Sequence, residues 1–140
     1  MIGGAGRDLI FGGAGRDLLT TNSFSQGPDD GGDELFGGTG DDTFVFVRAD
    51  HSPLGDADKI GDFQQGSDRL DFSFFQHGTG QGTEFVIFRF IGNAAFSGAQ
   101  ELRFQNGVLR GDADADGQAD LVLQLPGITT MTEADFILLF

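Results

Sequence analysis

Residues 3–11, Gly3-Gly4-Ala5-Gly6-Arg7-Asp8-Leu9-Ile10-Phe11, are followed at once by their near copy at 12–20, Gly12-Gly13-Ala14-Gly15-Arg16-Asp17-Leu18-Leu19-Thr20. The unit returns as Pro28-Asp29-Asp30-Gly31-Gly32-Asp33-Glu34-Leu35-Phe36 and again as Gly37-Gly38-Thr39-Gly40-Asp41-Asp42-Thr43-Phe44-Val45. Each copy holds an aspartate sixth (Asp8, Asp17, Asp33, Asp42) and a large apolar residue eighth (Ile10, Leu19, Leu35, Phe44). A flexible Gly/Asp linker, the plainest alternative, has no reason to keep an apolar residue at a fixed phase. Clustered glycines let the backbone take positive φ and turn tightly, which exposes carbonyl oxygens inside the turn. With the aspartate added, such a turn offers a hard cation the all-oxygen, irregular shell that Ca²⁺ tolerates. The last three residues of each unit then form a short strand whose eighth side chain points inward.

This nonapeptide resembles the calcium-binding repeat of the RTX (repeat-in-toxin) family. The resemblance implies an all-β fold in which two units make one coil of a short parallel β-roll. It also implies that turns on the same side share each calcium through their aspartates and glycine carbonyls. Carried onto this chain, the roll sites are Gly4, Gly6, Asp8, Gly13, Gly15, Asp17, Gly31, Asp33, Gly38, Gly40 and Asp42, with Asp8 paired to Asp33 and Asp17 to Asp42. Pro28-Asp29 replaces two glycines and Thr21–Gly27 interrupts the array, which marks Asp8/Asp33 as the weaker pair. Met1 and Ile2 fit the last two places of a preceding unit, so a longer array upstream is expected.

A chain of 140 residues with 39% hydrophobic side chains and sixteen Phe can bury a core as one domain. Its 22 acids against eight Lys and Arg give a net charge of −14, which argues against nucleic acid and for cations as partners. Carboxylates crowded into turns repel one another until a metal neutralises them, so folding should follow calcium. Cysteine is absent, which excludes disulfides and thiolate metal sites. No apolar leader opens the sequence and no run approaches a membrane span, so export without a Sec signal and without membrane insertion is expected.

Thr43-Phe44-Val45-Phe46-Val47 reads as the strand that ends the roll, so the chain divides into a roll at 1–47 and a second region at 48–140, folding as one cooperative unit. Asp50 to Asp56 reads as an exposed loop, and its Asp50-His51-Ser52 trio is not read as catalytic because neighbours in sequence rarely converge on one substrate. Asp58 to Ser73 reads as two short strands about a glycine turn. Its acids Asp58, Asp62, Asp68 and Asp71 are secondary calcium candidates, or a solvated acidic turn. Glu84 to Ile91 reads as a strand buried on both faces. Asn106-Gly107 between two alternating runs predicts a type I′ hairpin in which Phe104 faces Leu109. These segments predict an antiparallel, sandwich-like cap over or beside the roll.

Asp112, Asp114, Asp116 and Asp120 occupy places 1, 3, 5 and 9 of an EF-hand-like loop, with Gly117 sixth and Gln118 seventh. Place 12 is Leu123 instead of the bidentate Glu, so the alternatives are a calcium loop and an acidic β-turn. The segments at 58–73, 90–98 and 112–120 are similar to the C-terminal domain of serralysin-type metalloproteases, and the first also to alginate epimerase R-modules. Serralysin-like proteins end, as here, in an acid followed by apolar residues (Asp135 to Phe140), and the resemblance implies that this ending is read by a type I secretion exporter. The alternative is a last strand that simply packs.

No zinc-binding His-Glu-x-x-His is present, so the leading expectation is a non-catalytic calcium module of a secreted RTX exoprotein that serves an upstream catalytic or adhesive domain. The alternative is a polysaccharide-binding or adhesin module, against which the seven arginines are too few and too scattered along the chain to form a basic track.

Overall fold

The computed structural model describes residues 2–3, 6–20, 31–48, 55–77 and 84–138. Within them the regular secondary structure is β-strand apart from one single-turn 3-10 helix at Glu133–Asp135. Strands β1 (Leu9–Ala14), β3 (Glu34–Thr39) and β5 (Asp58–Ile60) stack in parallel to form one wall. Strands β2 (Leu18–Thr20), β4 (Thr43–Val45) and β6 (Arg69–Asp71) form the opposite parallel wall. The fold is a β-roll, as the repeats predict.

The eighth-position residues fill the space between the walls. Ile10, Leu35 and Ile60 on one side and Leu19, Phe44 and Leu70 on the other are no more than 6% exposed. Full burial of such a side chain contributes roughly 1.5–3 kcal/mol, and each strand supplies one, so the core is thin and depends on stacking. Ile2 bridges Thr20 in parallel, the position that the end of a preceding unit would take.

Two expectations are corrected. The parallel stacking does not stop at residue 47, because β5 and β6 build a further coil. Those two strands are therefore no hairpin: they lie on opposite walls, one beside β3 and the other beside β4. The physical reason lies in the coil length. Equivalent aspartates advance by 25 residues from Asp8 to Asp33 and again from Asp33 to Asp58. The Thr21–Gly27 insertion, itself outside the described residues, thus sits in a spacing that the next coil repeats.

The cap grows directly from the roll. Strand β12 (Leu121–Gln124) pairs in parallel with β5 and antiparallel with β11 (Val108–Asp112), which pairs with β10 (Glu101–Gln105) and, beyond it, β9 (Arg89–Phe90). One seven-stranded sheet results. The other wall is closed by β13 (Phe136–Ile137), parallel to β6 with Phe136 opposite Leu70. Between the sheets Phe72 lies 5.6 Å from Phe46, 5.9 Å from Phe75 and 5.8 Å from Phe88, ring centre to ring centre. The Asn106-Gly107 turn has φ of 54° and 77° and Phe104 faces Leu109, as expected.

The 84–91 segment departs from expectation. It makes two short strands, β8 (Glu84–Phe85), paired with β7 (Gln76–His77), and β9. Val86 and Phe88 are buried while Phe85 and Ile87 are about half exposed. A one-sided strand with apolar residues on both faces looks in sequence like a doubly buried one.

Candidate metal centre

The sixth-position aspartates form two columns at the strand entrances. In one, the Asp8 N–H donates to Asp33 Oδ1 at 2.7 Å and the Asp33 N–H to Asp58 Oδ1 at 2.9 Å. In the other, the Asp17 N–H donates to Asp42 Oδ1 at 2.9 Å and the Asp42 N–H to Asp68 Oδ1 at 3.0 Å. The following N–H returns the bond: Glu34 donates to the Asp8 carbonyl at 3.0 Å and Thr43 to the Asp17 carbonyl at 2.9 Å. Both pairs are built alike. The Pro28-Asp29 replacement and the 21–27 insertion, on which the expectation of a weaker Asp8/Asp33 site rests, lie outside the described residues.

At Asp33, Asp42, Asp58 and Asp68 one carboxylate oxygen thus anchors the preceding coil. The Oδ2 atom is buried and accepts no hydrogen bond at Asp8, Asp17 and Asp42. It folds back beneath the first glycine of its own unit: a β-carbon on Gly12 would lie 2.9 Å from Asp17 Oδ2, and one on Gly37 would collide with Asp42 Oδ2. Gly13 and Gly38 have φ of 110° and 95°, and Gly38 lies against the Gly13 carbonyl with no room for a side chain. The repeated glycines therefore let successive turns touch and leave space for a carboxylate under each.

A buried carboxylate oxygen without a donor is costly. Three of them at repeating positions, inside turns rich in carbonyl oxygens, fit a hard divalent cation, and the residues that would hold it are the paired aspartates with their turn carbonyls. Asp68 shows the strain of an uncompensated site. Burial, with Asp42 and Asp62 close by, pushes its carboxyl above the usual aspartate range despite N–H bonds from Gln64 and Asp42.

The other candidates fall differently. Asp62 uses both oxygens to hold the N–H groups of Gly37 and Gly38, each at 2.9 Å, and so clamps the neighbouring turn. Asp71 accepts from the Ser73 N–H and hydroxyl at 2.8 and 2.6 Å. Neither joins a column. Gly6, Gly15 and Gly40 have the positive φ of tight turns and Gly31 packs against Arg7, whereas Gly4 lies outside the described residues.

In the loop between β11 and β12, oxygens of Asp112, Asp114 and Asp116 converge within 4.8 Å. The buried Asp112 accepts from Gly117 N–H at 2.8 Å and Asp116 N–H at 3.2 Å, and burial raises its carboxyl. Asp120 accepts from Ala113 N–H at 2.8 Å and is raised chiefly by burial. It closes the loop from behind, while Gln118 is exposed and its N–H donates to Asp116 at 2.8 Å. Asp58 and Asp68 were legible as column members only through the coil spacing, since their units have lost most glycines.

The model of the peptidase M10 serralysin C-terminal family matches residues 1–138. The chain belongs to that family. RTX-type domains of the serralysin C-terminal family bind calcium and belong to secreted proteins. No curated protein matches the chain. Among solved structures it is similar to the solution structure of the AlgE6R3 subunit of the Azotobacter vinelandii mannuronan C5-epimerase, at 28% identity and a TM-score of 0.55. That likeness covers 98% of this chain and 71% of the other.

Proposed function

We propose that this serralysin C-terminal domain is a non-catalytic folding and secretion module that assembles on calcium outside the cell and carries an upstream partner domain. The observation that carries the reading is the set of buried Oδ2 atoms of Asp8, Asp17 and Asp42, without donors in columns where Oδ1 of Asp33, Asp42, Asp58 and Asp68 each accepts a backbone N–H. Bound Ca²⁺ would supply the positive charge that those oxygens lack and would be coordinated by their lone pairs. The chain's own part is to stack the turns, so that each aspartate fixes the coil before it and places its remaining oxygen inside.

Without that charge, 22 acids against eight bases favour an expanded chain suited to passage through a type I exporter. The C-terminal segment supports the second half of the reading. Phe136 pairs into the wall beside Leu70, and Asp135 Oδ2 accepts from Thr132 N–H at 2.8 Å and from Gln65 at 3.2 Å. The start of the acidic-apolar segment, Asp135 and Phe136, is thereby buried in the folded roll, whereas in the unfolded chain it would be open to an exporter.

Calcium titration followed by circular dichroism tests this. The wild type should gain β-sheet signal on calcium, and Asp17→Ala/Asp42→Ala should lose most of the gain. An unchanged gain in that variant rejects the reading. A second reading, a polysaccharide-binding module, is supported by the likeness to a subunit of an enzyme named for mannuronan.

A further inference from the structure

The basic residues that look scattered in sequence are gathered by the sheet. Along the seven-stranded sheet, Arg103 stands opposite Arg110, Arg89 opposite Glu101, and Lys59 beside Gln124. Register and alternation place these four of the chain's eight Lys and Arg residues on one face, turned away from buried Leu102, Phe104, Leu109 and Leu123. The register places three acids on that face, Glu34, Glu101 and Asp112, and Asp112 accepts from the N–H groups of Gly117 and Asp116 at 2.8 and 3.2 Å. Glu34 holds Arg7 and Lys59 at 3.5 and 3.6 Å, and buried Glu101 holds Arg89 at 3.1 Å.

Arg103 and Arg110 differ from the rest. They are direct cross-strand neighbours, an arrangement that repels, and neither has a carboxylate partner among the described residues. Arg103 bonds only neutral oxygens, the Asn93 carbonyl at 3.2 Å and Gln105 at 3.0 Å, and its Nε–H is buried without an acceptor. Its guanidinium lies 5.8 Å from the centre of the Phe96 ring, which holds it in place. In a chain of 22 acids, two adjacent arginines without an acid make a site poised for an external carboxylate.

We propose that this face of the cap sheet, centred on Arg103 and Arg110, binds a linear carboxylated polysaccharide. The proposal gives the second reading a location and rests on it. Two guanidiniums can grip a carboxylate in bidentate fashion, and the exposed amides of Gln105 and Gln124 can meet sugar hydroxyls. A glycan with one carboxylate per sugar spaces its charges more widely than a nucleic acid, whose duplex places a charge about every 1.7 Å, or a polyacidic peptide, and so suits a protein of net charge −14 better.

The test titrates the calcium-saturated protein with a short oligouronate, a neutral dextran oligomer and a polyglutamate peptide, and follows the arginine Nε–H resonances by NMR. The oligouronate should shift the Arg103 and Arg110 signals while dextran does not. Arg103→Gln/Arg110→Gln should weaken binding roughly tenfold or more while keeping its calcium-induced circular dichroism. If that variant fails to fold, the wild-type Nε–H shifts decide alone. Absence of oligouronate binding, equal binding of dextran, equal binding of polyglutamate, or unchanged affinity in the folded variant each overturns the proposal. The calcium-induced signal of the same samples reports separately on the folding role.

Discussion

Roll and cap each bury carboxylates, and they treat them differently. In the cap, Glu101 is fully enclosed, yet its Oε1 accepts from the Ser97 hydroxyl at 2.6 Å and Arg89 at 3.1 Å, and its Oε2 from the Ser97 N–H at 2.8 Å. In the roll, Asp42 is equally enclosed, but only Oδ1 has a donor, the Asp17 N–H. The chain completes the first carboxylate and leaves the second to be completed from outside. Calcium dependence should therefore be concentrated in the roll.

Removing calcium should have the largest effect. A site filled at about 100 times its Kd adds roughly 2.7 kcal/mol, and several such sites approach the whole stability of a small domain. On chelation, hydrogen exchange should accelerate first in β1 to β4, with the β10–β11 hairpin protected longest. Uniform acceleration across both regions would erase the distinction.

Next in size is the thin core. Leu35→Ala, at a fully buried position that each wall strand fills only once, should cost about 2–5 kcal/mol in calcium, measured by denaturant titration. A loss well under 1 kcal/mol would mean that the coils do not depend on the eighth residue.

Asp42→Asn separates charge from shape. Its carbonyl can still accept the Asp17 N–H, while the amide replaces the oxygen that has no donor. In calcium the change should cost about 2–3 kcal/mol, the value of one occupied site. In chelator it should be neutral or stabilising, because it removes a buried charge beside Asp68. Equal losses in both conditions would assign Asp42 a purely structural part.

The sequence made the two columns legible because a turn that must hold a carboxylate under a glycine tolerates few substitutes: Gly12/Asp17 and Gly37/Asp42 keep the same spacing. It concealed the third coil because Asp58 and Asp68 stand in units with altered turns, although Leu35 to Ile60 repeats the step from Ile10 to Leu35. It also concealed which strands meet across long separations. Nothing local to Phe136 announces a partner at Leu70, and nothing local to Lys59 or Arg89 announces that they join the face of the Arg103–Arg110 pair. Local chemistry was readable, whereas faces assembled by register were not.

The smallest expected effect tests the cap's side of the contrast through pH. The Ser97 hydroxyl and N–H, and then Arg89, hold the Glu101 carboxyl below the usual value of 4.5. A carboxyl lowered on folding stabilises the fold above its unfolded pKa, and that contribution fades as pH falls through the lowered folded value. Glu101→Gln should thus cost about 1–2 kcal/mol at pH 7 in calcium, and variant and wild type should converge in melting temperature as pH falls through the lowered Glu101 value. Asp68, raised by burial, has the opposite sign: ionisation weakens the calcium-free fold as pH rises past 3.8. In chelator, mild acid should therefore firm the roll around Asp68, and with it the loop of Asp112 and Asp120, while it loosens the Glu101 corner of the cap, and local stabilities that shift together at Asp68 and Glu101 would contradict the contrast.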